Sequence, residues 1–218
     1  MRKCFFILCL ALNLAFCKYE MSDEFKPFFS KKNCSLIMDK YFYVNCYDYA
    51  FKGTKAIAYE ILALNLYKEQ LKKRPKFEDD TNIAKKYRSS WSDYKNSGYE
   101  RGHIAPNASF SYSVYSQRST FLMSNITPQN SNLNSGVWAK IEKRARQLAK
   151  KYKRVEVLNL IIYDKKPKFI KNKIAIPKAY VKVIKTPKFK ECYQVSNKEL
   201  KNQNINKYKK SCNALLNF

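Results

Sequence analysis

Tyr99-Glu100-Arg101-Gly102-His103-Ile104-Ala105-Pro106-Asn107 contains the one histidine in a chain of 218 residues. A lone imidazole is commonly a structural group with satisfied nitrogens. The neighbours of this one argue for chemistry. Arg101 supplies a fixed planar cation suited to phosphate oxygens, Gly102 permits close backbone approach, and His103 can take a proton from water near neutral pH. A base beside a phosphate clamp is what phosphodiester hydrolysis requires.

Working downstream, Ser124-Asn125-Ile126-Thr127-Pro128-Gln129-Asn130 is followed by Asn132, Asn134, Trp138 and Glu142. From Ser135 the spacing predicts a helix over residues 136–152, with Trp138, Ile141, Ala145, Leu148 and Tyr152 on its apolar side. Residues 134, 138 and 142 then fall near one face. Mg²⁺ keeps several of its waters and accepts one or two protein oxygens plus substrate phosphate, so Asn134 can serve as ligand and Glu142 can hold a metal-bound water. The same residues also admit a structural reading, in which Asn134 caps the helix and Glu142 pairs with Arg146.

Charge points to the partner. The chain has 43 Lys+Arg against 17 Asp+Glu, a formal net charge of +26, yet its 45% hydrophobic content is enough to bury a core. That excludes a disordered basic tail and predicts a surface field that attracts polyanions, nucleic acid first and anionic membrane second.

Met1-Arg2-Lys3 precedes an apolar stretch from Cys4 to Cys17. The stretch is shorter than the roughly 20 residues that span a bilayer, so residues 1–17 read as a cleaved signal peptide, with the mature chain at 18–218. A lipid attached at Cys17 is the rival reading, disfavoured by the bulky Phe16 before it. Of seven cysteines, Cys34, Cys46, Cys192 and Cys212 lie beyond residue 17. An even number in an exported chain suggests two disulfides, and sequence proximity favours Cys34 with Cys46 and Cys192 with Cys212. Without a CxxC spacing, zinc binding is disfavoured.

Strand-like alternation covers residues 41–49, and residues 55–66 can pair back as a hairpin, their later part also suiting a helix. Residues 68–98 read as a long loop with short helical turns. Further strands are expected at 120–125, 155–163, 173–176, 180–185 and 192–196, the last three with basic exposed faces. These elements make one α+β domain.

The sequence resembles the DNA/RNA non-specific endonucleases, a ββα-metal family, over roughly residues 40–165. The match rests on Arg101-Gly102-His103, Ala105-Pro106, Asn125, Thr127-Pro128-Gln129, Asn134, Trp138 and Glu142, with Arg74, Phe77 and Asp80 as an upstream lead-in. The resemblance implies an antiparallel sheet with packed helices, carrying a strand, loop and helix finger that holds one metal between His103 and Asn134. It implies His103 as general base, Asn134 as the direct Mg²⁺ ligand (Mn²⁺ being a substitute), and Glu142 as a residue ordering the metal's water. Arg101 and Arg74 would contact phosphate, with Asn125 and Gln129 as supporting polar groups. Glu100 stands where the family has Asp, which predicts adjusted positioning of Arg101 and His103.

The expected function is a secreted endonuclease that hydrolyses DNA and RNA and leaves 5′-phosphate ends. Lys72, Lys73, Lys143 and Arg144 would bind the backbone without reading bases. The alternative is an exported, non-catalytic DNA-binding protein with a relic site. A cationic membrane-active protein explains the charge but not the motifs. Export predicts a periplasmic or secreted location.

Overall fold

A computed structural model describes residues 18–216; the expected signal peptide at 1–17 lies outside the described residues. The strands are β1 (Leu36–Asp39), β2 (Tyr43–Asp48), β3 (Gly53–Leu62), β4 (Glu100–His103), β5 (Ile126–Gln129), β6 (Arg154–Ile162), β7 (Ala179–Lys185), β8 (Lys190–Ser196) and β9 (Lys209–Lys210). The helices are α1 (Ala63–Tyr67), α2 (Asn107–Phe110), α3 (Val114–Thr120), α4 (Ala139–Tyr152) and α5 (Cys212–Leu216).

Seven strands form one antiparallel sheet in the order β1-β2-β3-β6-β7-β8-β9, and β4 pairs with β5 alone. The expected hairpin is β2 with β3, where Tyr43 stands opposite Tyr59. Period-two alternation sends successive side chains to opposite faces. Ile57, Tyr59 and Ile61 of β3, with Val155, Val157, Tyr180 and Ile184, pack against Trp138, Ile141, Ala145 and Leu148 from the α4 region. Ala56, Ala58, Leu158, Leu160, Val181 and Val183 face the other way, under Phe25, Leu215 and both disulfides.

The structure corrects three expectations. β7 is buried along nearly its whole length and Lys182 is fully buried, so the later strands do not present basic exposed faces. Residues 173–176 form no strand; a 3₁₀ turn Lys171–Lys173 leads into a single bridge between Phe169 and Ala175. The strand expected at 120–125 is instead the end of α3 and a 3₁₀ turn, Met123–Asn125, with β5 starting just after. Short apolar runs do not distinguish a strand from a buried turn, and here backbone pairing opposite β4 decided.

The disulfides are Cys34–Cys46 and Cys192–Cys212, with Cα separations of 5.1 and 5.3 Å. The first ties the N-terminal segment to β2 and the second ties α5 to β8, so each staples a terminal region onto the same face of the sheet. Among the described residues, no helix is long and apolar enough to cross a membrane.

Candidate active site

β4 places its residues in register with β5, so that Glu100 faces Gln129, Gly102 faces Thr127 and His103 faces Ile126. Asn125, just before β5, holds the exit of β4. Its Oδ1 accepts from Ala105 N at 2.8 Å and its Nδ2 donates to Ala105 O and Thr120 O at 2.9 and 2.8 Å. All three bonds are buried and go to backbone, so Asn125 shapes the loop after His103 and has no amide hydrogen left for a ligand.

Gln129 is fully buried, and a methyl group on Gly102 would lie 2.0 Å from Gln129 Oε1 and 2.4 Å from its Cγ. Glycine is therefore required by the side chain crossing over it. Gly102→Ala is expected to destabilise the fold by about 1–3 kcal/mol, measured by denaturant unfolding. Adding Gln129→Ser should recover much of that loss, because the two positions share one space.

After β5 the chain enters a wide helical turn, Leu133–Trp138, before α4 begins. The helix expected from residue 136 thus starts three residues later, at Ala139, because Gly136 breaks it with φ −100° and ψ −110°. Asn134 lies inside this turn and caps nothing. Its Nδ2 donates to Glu100 Oε2 at 2.7 Å. A carboxylate only accepts, so the bond commits the amide nitrogen to Glu100 and leaves Oδ1 as the free acceptor. The longer side chain at position 100 therefore reaches the candidate metal ligand.

His103 sits half-buried in an aromatic cage. Its ring centroid is 4.8 Å from Phe121, edge on, and 5.5 Å from Phe77. Arg74 lies over Phe121 at 5.3 Å and Arg101 over Phe77 at 5.2 Å, so each arginine rests on one wall of the cage. His103 Nε2 is shut from solvent without a hydrogen bond. Burial, helped by the Arg74 charge, pulls the imidazole down to about 3. His103 is therefore neutral at pH 7 and able to accept a proton.

The shift has a measurable sign. The unfolded chain binds a proton at this residue near pH 6.5 and the folded one only near 3, so the stability it contributes is present above about 6.5 and lost as pH falls toward 3. With one histidine, a single imidazole NMR signal reports the titration directly. Its midpoint is expected well below 6.5, and Arg74→Ala should move it upward.

Arg74, Phe77, Glu100, Arg101, Phe121 and Asn134 all line one open cleft of about 780 Å³. Asp80, third residue of the lead-in, anchors it from beneath: buried, it accepts Ser124 Oγ at 2.5 Å and pairs with Lys40 at 2.7 Å.

Other expected residues lie elsewhere. Glu142 is within electrostatic reach of Lys182 and Arg146, and among the described residues it forms no ion pair closer than 4 Å, so the pairing with Arg146 that the alternative, structural reading called for is absent. Burial raises its pKa while both cations pull it back. Lys182 Nζ donates to Asn159 Oδ1 at 2.6 Å and lies 4.3 Å from the Trp138 ring. Burial lowers its pKa, and Glu142 opposes that. Arg144 is engaged by Glu191 through two bonds of 3.0 and 2.7 Å, so it is not a free phosphate contact. Lys143 lines a second cleft with Arg146, Gln147 and Lys150, while Lys72 and Lys73 are exposed on the loop leading to Arg74. Phe121 and Lys182 were missed in the sequence because neither belongs to a local motif.

The donor set suits a hard cation that keeps most of its water. Asn134 offers one amide oxygen on the cleft wall, and among the described residues no three His, Cys, Asp or Glu side chains form a closed cage.

The family model for DNA/RNA non-specific endonucleases matches residues 21–218. The chain belongs to that family. Human mitochondrial endonuclease G is 31% identical over 140 residues, which is 64% of this chain and 45% of that protein. The mitochondrial nuclease of Saccharomyces cerevisiae is 39% identical over 101 residues, 46% of this chain and 31% of that protein. The chain thus spans less than half the length of these curated relatives. The crystal structure of an EndoG/EndoGI complex superimposes with a TM-score of 0.75 at 24% identity, covering 82% of this chain and 81% of that one, which shows the shared fold. Both matched relatives are named mitochondrial nucleases, as is one from Schizosaccharomyces pombe, and this overturns the expected periplasmic or secreted location. Nucleases of the family are generally dependent on a divalent metal.

Proposed function

We propose that this endonuclease-family chain hydrolyses phosphodiester bonds of DNA and RNA, with His103 as general base and 5′-phosphate ends as product. The observation that carries the reading is an imidazole whose Nε2 has no hydrogen-bond partner, caged between two phenylalanines, each of which carries an arginine on the wall of the cleft. Arg74 and Arg101 hold the phosphate and stabilise its oxygens as negative charge builds, while their own charges stay fixed by the aromatic walls beneath them. His103 takes a proton from the attacking water at whichever ring nitrogen is unprotonated in the neutral imidazole. The phosphorus–oxygen bond opposite the water breaks, and the 3′-oxygen departs.

Asn134 Oδ1 would hold Mg²⁺, or Mn²⁺ in its place, and Glu100 keeps that oxygen turned away from itself by binding the amide nitrogen. A divalent ion bound there supplies charge stabilisation at the departing oxygen. Glu142 is proposed to order water next to it, with the Lys182 and Arg146 charges opposing the rise in its pKa that burial causes. Contacts to backbone phosphate carry no sequence information, consistent with a non-specific enzyme.

The test is cleavage of supercoiled plasmid and of total RNA by the purified protein in Mg²⁺ and in EDTA. Cutting of both substrates that stops in EDTA supports the reading. Binding without cutting under any divalent metal would replace it with a DNA-binding protein.

A further inference from the structure

We propose that Trp91 is a stacking platform for an unpaired nucleobase, set in the cleft that holds Arg74 and Arg101. The inference deepens the nuclease reading and rests on it: phosphate is held by the arginines, and a base of the same strand seats on the indole.

The two tryptophans of the chain are treated oppositely by the fold. Trp138 is buried in the core at 1% exposure, whereas Trp91 is 53% exposed. Single exposed apolar residues are common, so exposure alone says little. What sets Trp91 apart is a rigid mount in a charged cleft. It opens a 3₁₀ turn, Trp91–Tyr94, that is closed by a reciprocal cap in which Ser90 N donates to Asp93 Oδ2 at 2.8 Å. Ser90 Oγ donates to Asp79 at 2.5 Å, and Asn172 Nδ2 donates to Asp93 Oδ2 at 3.2 Å. At the end of the turn, buried Tyr94 donates its hydroxyl to the carbonyl oxygen of Ile126 in β5, the cross-strand partner of His103. The backbone that presents the indole is thus fixed to the strand pair that presents the base, and little entropy remains to be lost when a ligand stacks there.

The cleft wall has the matching chemistry. Trp91 lines it together with Arg74, Arg101, Lys95 and Tyr99. Cations that follow a phosphate chain, interleaved with aromatic faces, are how proteins hold single-stranded nucleic acid without reading its sequence. A base inside a duplex has both faces covered by its neighbours, so the indole accepts only a base that is already out of the stack. The site is therefore tuned to single strands, frayed ends and unwound segments, in DNA and RNA alike.

The experiment measures binding in EDTA, where cleavage is off, using the intact protein. The probes are a 12-nucleotide oligo-dT, an abasic strand of the same length, and a blunt duplex. Oligo-dT is expected to quench the tryptophan emission and the abasic strand to leave it nearly unchanged, since charge is equal and only the base differs. Trp91→Ala should weaken oligo-dT binding roughly ten-fold, Trp91→Phe should restore most of it, and duplex affinity should change little in either. Thermal melting of the variants checks that the exposed substitution leaves the fold intact. Equal quenching by the abasic strand, or oligo-dT affinity unchanged in Trp91→Ala while the wild type still cuts plasmid in Mg²⁺, overturns the platform and leaves the nuclease standing. A wild type that neither binds oligo-dT nor cuts plasmid brings both down.

Discussion

His103→Ala is expected to slow cleavage of plasmid and RNA by about 10²–10⁴-fold, the range a positioned general base contributes, while binding in EDTA stays close to wild type. The separation follows from the geometry. In the proposed mechanism phosphate would be held by Arg74 and Arg101, which rest on Phe121 and Phe77 and not on the imidazole, so removing the ring would remove the proposed proton acceptor and leave the clamp. Because His103 is held neutral well below the ordinary imidazole range, the wild-type kcat/KM should show no acid inflection near pH 6.5. Single-turnover cleavage across pH 5–8, with gel-shift binding beside it, reads both. Loss of binding in step with loss of cleavage would make His103 a structural residue of the cage.

Asp80→Ala is expected to cost about 3–5 kcal/mol of folding stability, the scale seen when one partner of a buried ion pair is removed. Lys40 and Asp80 have side chains only 8% and 2% exposed, and Asp80 also accepts the Ser124 hydroxyl one residue before Asn125. The alanine leaves the Lys40 ammonium facing Asn82 alone and frees the turn that leads into β5. For a chain of this size the loss should lower the melting temperature by roughly 10 °C, and differential scanning calorimetry measures it. Asp80→Asn, which keeps the shape and one acceptor, should lose less. A melting point within error of wild type in both variants would show that the pair is balanced by its own desolvation.

Much of the site was legible because it is local. Glu100 to His103 is a single strand, Ile126 to Gln129 is its partner, and α4 follows after a short turn, so the ββα unit is written in consecutive motifs. The cysteine pairing was legible for a related reason: separations of 12 and 20 residues make the observed pairs the short loops. Boundaries were less secure. The expected regular spacing of residues 134, 138 and 142 passes through a wide turn broken at Gly136, so Asn134 is turned toward Glu100 and does not cap the helix.

What the sequence by itself determined was the chemistry available: an excess of basic side chains, one imidazole, an arginine two residues before it, and a run of amide side chains downstream. Those are properties of residue type and near spacing, which covalent geometry preserves. Tertiary structure alone decided which groups are free to act. Glu191, 47 residues from Arg144, takes that arginine out of the nucleic-acid surface. Lys182 reads as one more surface lysine, yet the sheet order puts it between β6 and β8 beneath Trp138. Phe121 reaches His103 only because α3 and the following turn fold back against β4. Each outcome depends on strands and helices distant in sequence meeting in one layer, and pairwise spacing along the chain does not encode that meeting.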